Sequence, residues 1–188
     1  MNRFAPIELP GFRIVPFEER HLTQRYVGWL NDPKIVRFSE QRHRTHDESS
    51  CRSYFLSMQN NASLFLAIEM RDPDIGHVGN LSVAIDHANQ SADLSIMVGE
   101  KAVWGSGVAS QAWAAMVDAL LGQFALRRVT AGTMSVNLAM IKLMERSDMQ
   151  IDAIRPRHFL WEAQEVDLVL ASKHAQQSAS TDSDGQDI

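Results

Sequence analysis

The first third of the chain changes from an alternating pattern of hydrophobic positions to a helical one. Residues 11–17 alternate apolar and polar side chains, which predicts a first strand. Residues 18–30 carry apolar side chains every three or four positions, which predicts a helix, and a short second helix is predicted over 34–38. The polar residues 39–46 are predicted to form a loop. Asp47 suits the capping position of a third helix. The apolar face of that helix contains Cys51, Tyr54, Phe55 and Met58.

Three runs of strand-like sequence occupy the middle of the chain, at residues 64–70, 78–85 and 92–98. Short polar turns separate each run from the next. Because links this short join neighbouring strands that run in opposite directions, the sequence predicts an antiparallel meander.

Helical and strand-like patterns alternate in the last part of the chain. Helices are predicted over 110–124 and 137–146, and strands over 128–136, 150–155 and 165–171. Early helices, a meander and then alternating elements predict an α+β domain. Its one central sheet is expected to be mixed, mostly antiparallel and flanked by helices.

This single domain is predicted to span residues 11–171. Residues 1–10 are predicted to be an N-terminal extension. Residues 172–188 are rich in Ser, Gln, Asp and Gly. Such a segment buries too little apolar surface to offset its ordering entropy, which predicts a disordered tail.

Composition narrows the class of protein and its partners. The 188 residues are 45% hydrophobic and 22% charged, which is typical of a soluble globular protein. The net charge of −5 disfavours nucleic acid as a partner. Cys51 is the one cysteine, so an internal disulfide is impossible, and the scattered histidines predict no metal site. No apolar run is long enough for a secretion signal or a membrane span, so we expect a cytoplasmic protein without membrane contact.

A glycine-rich turn before a predicted helix is the most informative feature. Gly105 and Gly107 lie between the strand-like residues 94–98 and an amphipathic helix. Glycine lets the backbone approach a ligand, and the free N–H groups at a helix N-terminus favour an anion such as pyrophosphate. A Walker loop is not indicated, because Gly-Lys-Ser/Thr is absent. A Rossmann turn is only weakly supported, because no acidic residue ends the next strand. The remaining alternative is an ordinary helix start.

This turn and two later residues resemble the Gcn5-related N-acetyltransferase (GNAT) superfamily. The turn is similar to the superfamily's cofactor motif in the pattern Trp104-x-x-Gly107-x-Ala109. Asn137 follows the predicted fifth strand, and Glu145 lies near the end of the next helix. Both are in register with the superfamily's pattern, and the combination is more specific than the turn alone.

The resemblance covers about residues 12–171 and implies a GNAT-like fold. Residues 29–33, with the sequence Trp-Leu-Asn-Asp-Pro, and Trp104 before the glycines resemble one branch in particular. That branch contains ribosomal-protein N-terminal acetyltransferases and amino-sugar acetyltransferases. Because members of the branch often pair through their C-terminal strands, the resemblance also makes a homodimer plausible.

The resemblance implies acetyl-CoA as the co-substrate and assigns residues to it. Its pyrophosphate would be held by the backbone of Trp104, Gly105, Ser106, Gly107, Val108, Ala109 and Ser110. Its pantetheine arm would lie along the main chain of Ile96, Met97 and Val98. Asn137 would contact that arm, cap a helix, or do both. Met140 and Met144 are expected either on the wall of the thioester channel or in the core.

No acid or base of the superfamily transfers onto this chain. Met144 and Gly132 stand at the positions concerned. Candidates for a general base therefore come from the polar loop, where Glu40, His43 and His46 can each accept a proton. Ser135 on the predicted fifth strand is a further candidate, with a structural role as the alternative.

The acidity of the substrate amine limits the choice of acceptor. At pH 7 a lysine-like amine is neutral in roughly one molecule in 2,500, a cost of about 4.6 kcal/mol, whereas an α-amino group costs about 1 kcal/mol. Without a strong base, we expect the acceptor to be an amino sugar, nucleotide-linked, or a protein N-terminal α-amine. An anionic acceptor could be bound by Arg42, Arg44, Arg155 and Arg157. The alternative function is a non-catalytic acyl-CoA-binding module of the same fold.

Overall fold

A computed structural model describes residues 4–59 and 63–176. In this part of the chain eight strands form one sheet in the order β1-β2-β3-β4-β5-β6-β8-β7. The strands are β1 Ile7–Leu9, β2 Phe12–Pro16, β3 Leu64–Met70, β4 His77–Asp86, β5 Ser91–Val98, β6 Arg128–Met134, β7 Gln150–Trp161 and β8 Gln164–His174. The α helices are α1 Gln24–Leu30, α2 Glu48–Gln59, α3 Val108–Leu121 and α4 Leu138–Arg146. Short 3-10 helices cover Glu19–His21, Glu40–His43 and Lys101–Val103.

The predicted meander is confirmed, since β3, β4 and β5 pair antiparallel in sequence order. The pairing of β5 with β6 is different, because it is parallel and joins only residues 91–93 to residues 128–130. Beyond Asp93 the two strands no longer pair. The mixed, mostly antiparallel sheet of an α+β domain therefore contains a gap in its middle, between the second half of β5 and β6.

Helices cover the sheet on both faces. On one face α3 buries Trp113 and Met116 completely against the strands. On the other face α1 and α2 bury Trp29 and Phe55 in a second, aromatic cluster around Phe17. Gly99 follows β5 where Trp29 lies so close that an added Cβ would approach its ring to 2.0 Å. This contact places α1 against the end of the strand that borders the gap.

Most predicted elements are confirmed, with shifted ends. Asp47 caps α2 by accepting a hydrogen bond from Ser50 N–H at 2.7 Å. The helix predicted over 18–30 is divided, because Thr23 caps α1 and ends the preceding 3-10 turn. The short helix predicted over 34–38 is wrong, since these residues form turns. The segment predicted as a loop over 39–46 contains one of the 3-10 helices, capped by Ser39.

The predicted domain ends also need correction. Residues 7–9 of the predicted extension form β1, which pairs with β2, and Phe4 is buried in the core. Strand β8 continues through Ser172 to His174, so the first three residues of the predicted tail belong to the sheet. The backbone pairing with β6 holds these polar residues in place, although their side chains gave no apolar signal. Residues 177–188 of the predicted tail lie outside the described residues.

Candidate active site

The gap in the sheet opens into a cavity of about 770 Å³. Its walls come from residues 34–46, helix α2, the middle of β4, the second half of β5, the end of β6 and the start of α4. The lining also includes Trp104, so the cavity extends from the residue before the glycine turn to the polar segment before α2.

The glycine turn at the start of α3 presents a cluster of free backbone donors. Gly105 and Gly107 have φ angles of 78° and 91°, in the left-handed region that favours glycine. Five N–H groups have no acceptor within the described residues. They belong to Gly105, Gly107, Val108, Ala109 and Ser110. Unpaired donors of a fourteen-residue helix, aided by its dipole, form a site suited to a phosphate.

The edge of β5 offers further main-chain groups to the gap. Gly99 N–H donates to Val78 O in β4 at 2.9 Å, and neighbouring peptide groups of a strand point to opposite sides. By this alternation the main chain of Val98 and Ile96 faces the gap, whereas that of Met97 faces β4. Trp104 supports this orientation, since its indole N–H donates to Val98 O at 2.9 Å. All three predicted β5 residues line the cavity.

Asn137 and Met140 also line the cavity, but Met144 does not. The Asn137 side chain caps α4 by accepting from Met140 N–H at 3.3 Å, and it donates to Thr133 Oγ1 at 3.0 Å. Met144 is fully buried in the core against α3. Of the two alternatives for these methionines, the structure places Met140 on the channel wall and Met144 in the core.

Three residues of the cavity wall carry a buried side-chain atom without a hydrogen-bond partner within the described residues. The atoms are Gln41 Oε1, His46 Nε2 and Asn80 Oδ1. Asn80 is only 4% exposed, and its amide nitrogen donates to Leu66 O at 3.4 Å. Because buried polar atoms are nearly always paired in folded proteins, these three groups are candidates for contact with a polar ligand.

The structure does not bring Glu40, His43 or Ser135 into the cavity wall. Glu40 is an exposed partner of Arg42 at 2.7 Å, and His43 is exposed beside it. Ser135 Oγ accepts from Asp167 N–H at 3.2 Å, which gives this hydroxyl a structural role between β6 and β8. The 3-10 turn directs Gln41 inward, while Glu40 and His43 face outward.

His46 is the histidine of this segment that reaches the cavity, and Asn31 holds it there. Asn31 Oδ1 accepts from His46 N–H at 2.8 Å, and Asn31 Nδ2 donates to His46 O at 2.8 Å. The neighbouring Asp32 accepts a hydrogen bond from Lys101, which precedes the glycine turn. That hydrogen bond lowers the pKa of Asp32. The Trp-Leu-Asn-Asp-Pro sequence thus connects both ends of the cavity, a role that its sequence alone did not reveal.

The thiol and the buried phenol of the cavity wall favour their protonated forms. Burial raises the pKa of the Cys51 thiol, and it raises the pKa of the Tyr26 hydroxyl. Because the thiolate is the reactive form of cysteine, Cys51 is a poor nucleophile near neutral pH. The described lining also contains Lys34, Arg44 and His46, but neither Asp nor Glu. The arrangement therefore gives no support to Cys51 as a covalent nucleophile.

Residues 12–150 match the acetyltransferase (GNAT) domain family, so the chain belongs to the GNAT acetyltransferases. The fold agrees with solved structures of that superfamily. One is RimL, a ribosomal L7/L12 α-N-protein acetyltransferase in complex with coenzyme A, which is 14% identical in sequence with a TM-score of 0.80. The match covers 91% of this chain and 98% of the RimL chain. Another is spermidine N-acetyltransferase from Vibrio cholerae in complex with CoA and spermine, which is 14% identical with a TM-score of 0.77. The match covers 88% of this chain and 96% of that chain.

A third similar structure is the microcin C7 self-immunity acetyltransferase MccE in complex with acetyl-CoA and AMP. It is 17% identical with a TM-score of 0.74, and the match covers 88% of this chain and 93% of that chain. At these identities the structures establish the fold. No curated protein matches the chain.

None of the helices in the described part of the chain has the length and apolar character needed to span a membrane. No group of three or more His, Cys, Asp or Glu side chains within residues 4–59 and 63–176 is arranged to hold a metal ion.

Proposed function

We propose that this protein is an N-acetyltransferase that moves the acetyl group of acetyl-CoA to a primary amine by direct attack. The observation that carries this proposal is the continuity of the cavity. Trp104, directly before the free N–H donors of α3, lines the cavity, and so do Gln41, His46 and Asn80, each of which has a buried polar atom without a partner within the described residues. A cytoplasmic location and the absence of a metal cofactor remain part of the proposal.

The chain's own groups suit the CoA part of the co-substrate. The five free N–H groups of Gly105 and residues 107–110 would bind the pyrophosphate, and the exposed main-chain edge at Ile96 would pair with the pantetheine amides. Asn137 and Met140 would form the opposite wall. When bound, acetyl-CoA supplies an acetyl thioester, whose C–S bond breaks as the amine forms the new amide bond and the CoA thiol leaves.

The other end of the cavity suits the amine. Gln41 Oε1 and Asn80 Oδ1 can accept its N–H groups and orient its lone pair, because both atoms are buried and unpaired. His46 Nε2 is the atom that we propose takes the proton that the amine releases, because it is buried and has no partner within the described residues. His46 therefore replaces Glu40, His43 and Ser135 as the base that we propose.

We propose that the acceptor is an amino sugar, nucleotide-linked, or a protein N-terminal α-amine. The described wall of the cavity supports a neutral or anionic acceptor, because it carries Lys34 and Arg44 but no carboxylate. A polycationic amine would find no opposite charge there. The moderate basicity of an α-amine or a sugar amine also fits a histidine base.

Calorimetric titration with acetyl-CoA tests the cofactor site. We expect micromolar binding to the wild type and a loss of at least tenfold in Gly107→Trp, because the large side chain would fill the cradle. Gly11→Trp is the matched control, since Gly11 has a similar φ of 82° and lies at the β1–β2 turn, far from the cavity. Absence of binding to the wild type would overturn the proposal.

A non-catalytic acyl-CoA-binding module is the second candidate. It is favoured by Met144 and Gly132, which occupy the positions where many relatives carry an acid and a base, and Met144 lies in the core. Tight acetyl-CoA binding together with no transfer to any member of a broad amine panel would establish this alternative. Any enzyme-dependent acetylated product would exclude it.

We also propose that the protein forms a homodimer through β7. This strand lies at the edge of the sheet and exposes three large apolar side chains, Ile151, Ile154 and Leu160. An exposed apolar edge strand favours pairing with another chain. Light scattering should show a dimer for the wild type and a monomer for Ile154→Lys. A monomeric wild type at micromolar concentration would refute the proposed dimer.

A further inference from the structure

A second cavity, of about 430 Å³, adjoins the first. The two cavities share Leu30, Val36, Arg44 and Thr45 in their walls, so they meet along one line of residues. The outer wall of the smaller cavity is the tip of the β7–β8 hairpin, at Trp161 and Glu162. If a ligand places its amine beside Gln41 and His46, the rest of the ligand can extend into the smaller cavity.

The charge of this region is opposite to that of the whole chain. The net charge of the protein is −5. Nevertheless, the described walls of the two cavities contain four lysine and arginine side chains and one carboxylate, that of Glu162. The cations are Lys34, Arg37, Arg42 and Arg44. A local reversal of charge on an acidic protein favours binding of an anion at this place.

Two of these cations are already paired, and two are not. Arg37 contacts Glu162 at 3.1 Å, and Arg42 contacts Glu40 at 2.7 Å. The side chains of Arg44 and Lys34 make no ion pair or hydrogen bond with any described residue. Arg44 is therefore an exposed guanidinium that lines both cavities without a partner within the described residues, so its donors are available to an anion that occupies them.

The paired arginines make the wall rigid. Arg42 is only 15% exposed, and it donates to Ser39 O at 3.0 Å and to Leu160 O at 3.3 Å. The Arg37 guanidinium lies 4.7 Å from the centre of the Trp161 ring, whose N–H donates to Arg37 O at 3.1 Å. These contacts fasten the hairpin tip to the segment before α2. The smaller cavity is thus formed in advance, which lowers the ordering cost of binding.

We propose that the smaller cavity is an anion subsite of the acceptor site, with Arg44 as its principal ligand. The acceptor is then an amine that also carries a phosphate or a carboxylate group. Guanidinium groups bind both anions through two parallel hydrogen bonds, and a free Arg44 has the donors to do so. Lys34 adds a second unpaired cation on the same side. This inference rests on the proposed function, because it describes the remote part of the same acceptor.

Matched pairs of amines test the subsite by binding, without any need for turnover. Each pair contains one amine with and without an anionic group: glucosamine and glucosamine 6-phosphate, glucosamine and glucosamine 1-phosphate, and a dipeptide amide and its free acid. Each is titrated calorimetrically onto the full chain saturated with CoA. We expect an anionic member to bind about 10- to 100-fold tighter than its neutral partner, the range expected for charge-assisted hydrogen bonds.

Two arginine variants identify the residue responsible. Arg44→Gln should remove the preference for the anionic member and leave binding of the neutral member and of CoA unchanged. Arg155→Gln should keep the preference, because Arg155 is an exposed arginine on β7 that lines neither cavity. The sugar phosphates and the dipeptide acid distinguish a phosphate ligand from a carboxylate ligand.

The outcomes separate this inference from the proposed function. No preference in any pair, or a preference that Arg44→Gln retains, would overturn the anion subsite even if the protein acetylates amines. If the wild type does not bind CoA, the proposed function is overturned instead. Spermidine is included as a polycation, and tighter binding of spermidine than of every anionic amine would also overturn the inference.

Discussion

The side-chain amide of Asn31 makes two hydrogen bonds to the main chain of His46, one from its oxygen and one from its nitrogen, both at 2.8 Å. The side-chain amide thus pairs with the His46 peptide groups as a neighbouring strand would. The two hydrogen bonds fix the main chain at the end of the segment before α2. His46 lines the cavity, and its Nε2 atom is buried without a partner within the described residues. Asp32 beside it accepts from Lys101, so adjacent residues position both ends of the site.

Replacement of His46 tests its role as a base. His46→Gln should lower kcat about 100-fold, within the range typical of general base catalysis, and should leave the affinity for acetyl-CoA unchanged. His43→Gln is the matched control, because His43 lies three residues away and is exposed. Equal losses in both variants would show that the effect belongs to the segment and not to His46.

Replacement of Asn31 separates positioning from proton transfer. Asn31→Ala removes both hydrogen bonds to His46 and should lower kcat by about tenfold, since a positioning error of the base weakens proton transfer without removing it. The loss should stay smaller than in His46→Gln, which distinguishes a misplaced base from a missing one. Asn89→Ala is the control, because it removes the side-chain hydrogen bond from Asn89 Nδ2 to Asp86 Oδ2 in the β4–β5 turn, away from the cavity. Unchanged kinetics in Asn31→Ala would contradict the positioning role.

Asn137 offers a test of two roles in one side chain. Asn137→Ala removes the cap of α4 and the bond to Thr133, and it should reduce the free energy of unfolding by about 1–2 kcal/mol. Asn137→Ser keeps an oxygen that can cap the helix, so its stability should stay closer to the wild type. Weaker acetyl-CoA binding in both variants, despite this difference in stability, would assign Asn137 to the cofactor wall. If the serine variant binds acetyl-CoA as tightly as the wild type, the role of Asn137 is limited to capping α4.

The sequence predicted the sheet and the cofactor end of the site better than the acceptor end. Strands β3, β4 and β5 could be predicted from the local alternation of apolar residues and from the short turns between them. The glycine turn could be predicted because Gly105 and Gly107 adopt positive φ angles that favour glycine, and the motif contains glycine for this reason. The selection of His46 over His43 depends on a 3-10 turn and on the contact with Asn31, fifteen residues earlier. Contacts at that separation leave no periodic signal in a single sequence.

The long β7–β8 hairpin was underestimated for a similar reason. Strand β7 is exposed along almost its whole length, so it lacks the hydrophobic alternation that marks a half-buried strand. Its register is also interrupted between Arg155 and Phe159, where Arg157 has a φ of 51° and donates to Asp167. Pairing with β8 and not side-chain burial defines this strand, and its tip forms the wall beside Arg37.

A buried histidine network beside α1 predicts how stability depends on pH. His77 packs against Trp29 and His21 at ring distances of 5.0 Å, and burial, aided by the charge of His21, lowers its pKa to about 3. Burial alone would raise the pKa of Glu69, but hydrogen bonds from His21, Arg20 and Arg13 outweigh it and lower this pKa to about 2. Both groups therefore bind protons more readily in the unfolded chain.

The sign of the effect follows from the His77 pKa, which is about 3 when folded against a usual value of 6.5. Its contribution to stability is complete above pH 6.5 and is lost as the pH falls, by about 2–3 kcal/mol between pH 7 and pH 4.5. Glu69 extends the loss below pH 4.5. Denaturant unfolding at several pH values should show this slope in the wild type and a flatter one in His77→Gln. His87→Gln, an exposed histidine in the β4–β5 turn, should keep the wild-type slope, and an equal flattening there would contradict the assignment.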